Sequence, residues 1–152
     1  MLTATPRSMF SWDFTAYEDG IAIADIDMAW FGERAEVTIK GCPYCVRRES
    51  VLEGTFALKR GDEVLARAVK PSMLVRAFEV EFAERRLEMQ ALAVWSNEFG
   101  LFDAGAQIGR IGRVRWFGWE TVIDLPNDIA LPVQVFLFWL VLILWRRAQA
   151  AQ

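Results

Sequence analysis

The stretch that decides the fold is I-A-L-P-V-Q-V-F-L-F-W-L-V-L-I-L-W, which occupies residues 129–145. Only Pro132 and Gln134 interrupt its apolar character, and two arginines follow it directly. A helix that is apolar on every side must be surrounded either by lipid or by protein. The sequence therefore predicts a C-terminal helix over about residues 129–147 that is either a membrane span or the core of the domain.

Length and flanking charge favour the buried alternative for this helix. The apolar run lies at the lower limit of the about 17–25 residues that span a bilayer, and its uninterrupted part is in the length range of core helices. Positive residues prefer the cytoplasmic side of a membrane, so a tail anchor that carries two arginines to the far side is disfavoured. The helix residues predicted to form the core are Phe136, Trp139, Leu140, Ile143 and Trp145.

The sequence before this helix has the short alternating pattern of β-strands. Residues 35–39 and 78–82 carry apolar side chains at every second position, which is typical of strands with one buried face. Residues 54–69 form two extended runs around the polar loop 59–63, a pattern that predicts a β-hairpin. Turn signals recur along the chain and indicate about nine to twelve short strands, arranged as a sandwich or a barrel.

Three details of these elements are predicted from local signals. The first strand is placed around Trp12 and Phe14, because these aromatic residues alternate with polar neighbours. The strand that begins at Leu87 is predicted to continue to Trp95, since apolar residues recur at every second position. An Asn or Asp in the segment 125–128 is expected to cap the C-terminal helix.

Composition excludes several classes of function. The chain has 152 residues and no histidine, so neither a Ser-His-Asp nor a Cys-His catalytic arrangement is available, and no histidine can bind a metal. Walker-type and G-x-S-x-G motifs are absent from the sequence. The net charge of −3 gives no basis for a nucleic-acid partner. The sequence predicts one domain, 1–152, that is not an enzyme and binds no cofactor or metal.

The segment Cys42-Pro43-Tyr44-Cys45 is similar to the active site of glutaredoxins. Redox chemistry of that kind needs the first cysteine at a helix N-terminus, where its pKa falls. Here the motif leads into a predicted strand, and no βαβ pattern surrounds it. We therefore interpret the motif as a turn into a strand, and a thiol redox protein that uses Cys42 and Cys45 remains as an alternative.

A basic and aromatic cluster precedes the last strand. Its members are Arg110, Arg113, Arg115, Trp116 and Trp119. Tryptophan and arginine both favour the headgroup region of a bilayer, so the cluster is a candidate contact with anionic lipid. The alternative is a solvated strand face with some tryptophans in the core.

Segments covering residues 54–147 resemble the LURP-one-related proteins. They are the hairpin G-T-F-A-L-K-R-G-D-E-V-L-A-R-A-V-K-P at 54–71, the strand R-A-F-E-V-E-F at 76–82, the sequence I-G-R-I-G-R at 108–113, and the closing stretch V-I-D-L-P-N-D-I-A-L-P-V-Q-V-F-L-F-W-L-V-L-I-L-W-R-R at 122–147. That group shares its fold with the Tubby C-terminal domain and the phospholipid scramblases. The resemblance implies an antiparallel β-barrel of about twelve strands closed around a hydrophobic C-terminal helix.

The resemblance carries no functional residue to this chain. The basic phosphoinositide-binding residues of Tubby and the calcium-binding loop of scramblases have no counterpart in the sequence, and fold analogy alone is weak support for a function. The leading hypothesis is a non-enzymatic Tubby-like domain that binds a membrane lipid surface or an apolar ligand.

The N-terminal sequence and the C-terminal helix also predict where the protein is located in the cell. The N-terminal residues lack an apolar signal segment, so we expect a cytoplasmic protein that associates peripherally with a membrane. The alternative is a single-pass membrane protein in which helix 129–145 anchors a β-rich soluble domain.

Overall fold

The structure, a computed structural model, describes residues 1–50, 52–72, 75–115 and 118–152. Within them, twelve strands precede one helix. The strands are β1 Leu2–Pro6, β2 Phe14–Glu18, β3 Ile21–Met28, β4 Arg34–Ile39, β5 Cys42–Arg48, β6 Thr55–Arg60, β7 Glu63–Val69, β8 Ala77–Phe82, β9 Arg85–Ala91, β10 Phe99–Asp103, β11 Ala106–Arg113 and β12 Thr121–Asp124. The helix is α1, Leu131–Ala150.

The twelve strands form one closed antiparallel barrel. Each strand pairs with its neighbours in sequence, and β1 closes the sheet by pairing with β12 in the register Leu2↔Ile123. Closure leaves no unpaired edge strand in the described part of the chain, so the sheet offers no edge for pairing with another chain. The predicted mainly-β barrel of about twelve strands is confirmed.

Alternation along the strands directs one set of side chains into the barrel. In β4 every second residue is buried, and the same holds in β8 for Phe78, Val80 and Phe82. Both buried faces match those predicted from the period of two in the sequence. The inward rings meet edge to face, with the centroids of Phe56 and Phe78 5.6 Å apart.

The helix α1 fills the barrel. The five residues predicted to form its core, Phe136, Trp139, Leu140, Ile143 and Trp145, are all buried, and Trp139 has 0% of its surface exposed. The Trp139 ring packs edge to face on Phe56 at 5.8 Å. Among the described residues α1 is the one helix long and apolar enough to cross a membrane, and 72% of its most apolar window is buried. Protein therefore covers the helix in this structure.

The two ends of the barrel differ. Because neighbouring strands are antiparallel, alternate connections share an end. Two-residue turns at 19–20, 40–41, 61–62, 83–84 and 104–105 lie together at the end we call the turn end, where α1 also begins. The opposite end, which we call the loop end, carries six longer connections. These are loops 7–13, 29–33, 49–54, 70–76, 92–98 and 114–120, of which the structure describes all residues except 51, 73, 74, 116 and 117.

Two predictions about strand positions are wrong. The first strand is Leu2–Pro6 and not the region of Trp12, because Leu2 and Ala4 point into the core and pair with both neighbouring strands. Strand β9 ends at Ala91 and Trp95 is exposed. The Arg76 guanidinium donates to the carbonyl oxygens of Val94 and Ser96, and these bonds hold loop 92–98 out of the sheet.

The start of the helix also differs from the prediction. The residue at its N-cap position is Ala130, which makes no side-chain capping bond. Asp128 does not cap the helix, and its carboxylate instead accepts a bond from Arg85 at 3.1 Å. Pro132 stands in the first turn, where its fixed φ and missing N–H are tolerated. The Gln134 amide donates to the carbonyl oxygen of Ile129 at 2.8 Å.

Candidate functional site

The loop end exposes large apolar side chains on every one of its six loops. Trp30 and Trp95 each have 93% of their surface exposed. Single exposed apolar residues are normal on a protein surface, but many of them gathered at one end of a domain indicate an interaction surface. Among the described residues, those of the loop end that are apolar and exposed are Met9, Phe10, Trp30, Phe31, Leu52, Val75, Leu92, Val94, Trp95 and Val114.

The end of α1 holds one of these loops in place. Arg146 donates to the carbonyl oxygens of Ala29 at 3.2 Å and Gly32 at 2.7 Å. Arg147 next to it makes a bidentate ion pair with Glu33, with Nε 2.6 Å from Oε2. Loop 29–33 is therefore tied at both ends, and its two central aromatic residues are left pointing outward.

Several cations at the loop end bind neutral groups. Arg146 and Arg76 donate to backbone carbonyls, and the Lys70 ammonium donates to the carbonyl oxygen of Ser72. Among the described residues none of these three cations, nor exposed Arg115, forms a salt bridge with a carboxylate. Their charge is thus available to an anionic partner, although Glu53 and Glu120 lie in loops of the same end.

The structure separates the predicted basic and aromatic cluster. Arg113 and Arg110 are three residues apart in β11, so they lie on opposite faces of the sheet. Arg110 is half exposed and lies 3.5 Å from the carboxylate of Glu98. Arg115 is exposed at the loop end. Trp116 lies outside the described residues.

Arg113 is the member that points toward the core. Its guanidinium carbon lies 3.5 Å from the ring centroid of Trp119 and 5.0 Å from that of Trp145. Trp12 meets Trp119 edge to face at 4.9 Å. Burial lowers the pKa of Arg113 below its ordinary value, and its Nε has no hydrogen-bond partner in the described part of the chain. Arg113 and Trp119 therefore form part of the packing that closes the barrel mouth around the helix.

The two cysteines lie in a strand and not in a turn, so the predicted turn at 42–45 is wrong. The turn lies directly before this strand, at 40–41, where both residues have positive φ. Because the pairing of β5 with β4 is regular, Cys42 and Cys45 lie on opposite faces of the strand. Burial, followed by the charge of Glu36, raises the pKa of Cys45. This geometry gives no support to a dithiol active site.

Acidic side chains do not gather into a metal site. Within the described ranges no group of three or more cysteine, aspartate or glutamate residues is placed to hold a metal ion.

Sequence reasoning missed the exposed aromatic residues of the loop end. It placed Trp95 in a strand and left Trp30 and Phe31 without a role. The sequence did contain a signal for them. Trp30 and Phe31 stand directly before Gly32, which marks a break between strands. Large apolar residues are unexpected in a surface loop. Comparison with protein-family models, curated proteins and solved structures found no match to this chain.

Proposed function

We propose that this protein is a non-enzymatic domain that docks on anionic membrane surfaces through its loop end. The observation that carries the proposal is the set of six neighbouring loops, each with an exposed large apolar side chain. Cations without carboxylate partners lie among them. Aromatic residues at headgroup depth and basic residues beside an anionic surface are the two contributions that peripheral proteins use.

The arrangement favours a membrane over a protein partner. The exposed apolar residues belong to six separate loops at one end of the barrel, so they can enter a lipid layer independently of one another. Each basic residue held near an anionic leaflet adds about 1 kcal/mol. Arg115 and Arg146 are placed to contribute, whereas Arg110 is on the barrel wall and paired with Glu98.

The architecture is compatible with the Tubby-like resemblance. A closed barrel around a C-terminal helix is what that resemblance implies, and membership of that group is also part of the proposal. The buried helix supports peripheral attachment rather than a single-pass anchor, because strands cover its apolar surface.

Vesicle co-sedimentation tests the proposal directly. We expect wild-type protein to bind phosphatidylcholine vesicles that contain phosphatidylglycerol, with weaker binding at high salt. Trp30→Ser combined with Trp95→Ser should weaken binding at least about tenfold, since full burial of a large apolar side chain is worth about 1.5–3 kcal/mol. Ile21→Ser is the matched control, because Ile21 is 68% exposed but lies at the turn end.

The charge contribution has its own matched pair. Arg115→Ser should reduce vesicle binding and its salt dependence, whereas Arg110→Ser should leave both unchanged.

Equal binding by wild type and the double tryptophan variant would contradict the proposal. Dimerisation that the double variant abolishes, without vesicle binding by wild type, would assign the loop end to a second copy. Recovery solely in an alkali-resistant membrane pellet would support the single-pass alternative.

A further inference from the structure

A cavity of about 730 Å³ opens at the loop end, between residues 52–55, residues 69–72 and the end of α1. It combines charged groups with an apolar wall and two hydroxyls. Its lining residues that carry the argument are Glu33, Arg48, Glu53, Thr55, Lys70 and Arg147.

Cations outnumber carboxylates in this cavity. Arg48 and Arg147 share the carboxylate of Glu33, which accepts from Arg48 at 3.2 Å and from Arg147 Nε at 2.6 Å. Glu53 is exposed at the rim. The ammonium of Lys70 has no carboxylate partner in the described part of the chain, so the lining has a formal charge of +1.

Lys70 is held in this position by its backbone. Its N–H donates to the carbonyl oxygen of Gly54 at 2.7 Å. A β-carbon at Gly54 would lie 3.0 Å from the Lys70 carbonyl oxygen, so glycine allows the two loops to approach this closely. Burial, and then the charge of Arg147, lowers the pKa of Lys70. Lys70 and Arg147 line the same cavity, where Glu33 pairs with Arg147 and no carboxylate in the described part of the chain pairs with Lys70.

We infer that this cavity binds a phosphate monoester, with Lys70 and Arg147 as the cationic contacts. A dianionic phosphate would replace the repulsion between the two cations with attraction to both. Its oxygens would accept bonds from the Lys70 ammonium and from Nη1 of the Arg147 guanidinium, since Nε and Nη2 already donate to Glu33. The Thr55 hydroxyl lies in the same lining and offers a further donor.

The inference rests on the proposed function only for the source of the anion, which is a lipid headgroup or a free phosphate. Inorganic phosphate tests the site without a membrane. We expect phosphate, compared with chloride at fixed ionic strength, to raise the melting temperature of wild type. Lys70→Met should lose this response, and Lys70→Gln should lose it too. Lys59→Met should keep it, because Lys59 lies near the turn end of β6.

Melting in the absence of phosphate tests whether the variants fold. Lys70→Met without phosphate should still unfold cooperatively near the wild-type melting temperature, because relief of the repulsion from Arg147 offsets loss of the bond to the Ser72 carbonyl. Glu53→Gln should strengthen the phosphate response, because a competing carboxylate is removed from the rim. A wild-type melting temperature that ignores phosphate, or an equal response in Lys70→Met, would overturn the inference.

Vesicles then identify the source of the anion. Phosphatidic acid presents a phosphate monoester and phosphatidylglycerol a diester, and the two are compared at matched surface charge. A preference for phosphatidic acid that disappears in Lys70→Met supports a lipid headgroup. Phosphate-dependent melting without that preference supports a free phosphate ligand. If wild type does not bind vesicles but its melting temperature still rises with phosphate, the docking proposal is rejected and the proposed phosphate site stands.

Discussion

The indole Nε1 of Trp139 lies 3.3 Å from the Sδ of Met28, so the middle of the helix is bonded to strand β3 across the barrel interior. The same ring stacks on Phe136, with centroids 6.2 Å apart. Trp139 is thus packed on all sides, and its position makes it the most direct test of the central-helix architecture.

Trp139→Asp is expected to unfold the domain. An unpaired charge in a dry core costs several kcal/mol, which is comparable to a whole domain's stability of about 5–15 kcal/mol. Trp95→Asp introduces the same change at a residue that is 93% exposed, so it should leave unfolding nearly unchanged. Urea denaturation followed by circular dichroism measures both. A cooperative transition at the wild-type midpoint in Trp139→Asp would reject the buried helix.

Glu84→Gly is expected to stabilise the protein by about 1 kcal/mol. Ala83 and Glu84 both have positive φ in the turn between β8 and β9, a conformation that costs a side chain free energy and suits glycine. The melting temperature should rise by about 2–4 °C. Glu84→Gln keeps the strained backbone and removes the charge, so it should give no such rise.

Gly105→Ala should have the opposite effect. Gly105 occupies the second position of the equivalent turn between β10 and β11 with φ +86°, and a β-carbon there would meet no atom within 4 Å. Any loss of stability is therefore conformational and not steric, and we expect about 1 kcal/mol. An unchanged melting temperature would show that this turn relaxes easily.

Arg146→Met should loosen loop 29–33 without unfolding the barrel. The guanidinium holds the carbonyl oxygens of Ala29 and Gly32, and the methionine stem keeps the apolar part of the packing. We expect faster amide hydrogen exchange in loop 29–33 alone. Arg115→Met is the control, since Arg115 is exposed and donates no such bond to any described residue. Uniform acceleration of exchange over all strands would instead indicate a global role for Arg146.

The Cys45 thiol should titrate above its ordinary pKa in the folded protein, because burial and the charge of Glu36 disfavour the thiolate. Its contribution to stability is fully present below the pKa of the unfolded thiol and is lost as pH rises through the folded pKa. The alkylation rate of Cys45 is measured against pH in the Cys42→Ser variant. The rise of this rate should occur at higher pH in the folded protein than in the protein unfolded by urea. Equal profiles would contradict the burial of Cys45.

The double replacement of Cys42 and Cys45 by Ser should preserve both fold and vesicle binding. The two side chains lie on opposite faces of β5, so diamide should produce no intramolecular disulfide in wild type. Cycling with a dithiol reductant would revive the redox alternative.

The architecture was predictable because the buried faces of strands and helices determine the spacing of apolar residues in the sequence. Ala35, Val37 and Ile39 alternate, and the run around Trp139 is apolar on all sides, so both the sheet and the central helix could be derived. The arginine cluster was less tractable. Arg110 and Arg113 are close in sequence but lie on opposite faces, and their faces follow from strand register, which composition does not reveal.

The loop end could not be derived from the sequence. Its members come from six separate loops, and nothing local shows that these loops meet at one end. Trp95 continues the spacing of the strand before it, and the bonds that exclude it come from Arg76, 18 to 20 residues earlier in the chain. Sites assembled by closure of a barrel become visible only once the strand order is known.

The helix that fills the barrel follows all twelve strands in chain order. A ribosome delivers all twelve strands before this helix, so during synthesis the inward faces of the sheet have nothing to pack against. The pairing of β1 with β12 likewise waits for more than a hundred residues to emerge. Until then an apolar, half-built sheet is exposed, which is the kind of intermediate that chaperones bind. Completion of this fold is therefore a late event, governed by the arrival of a single segment.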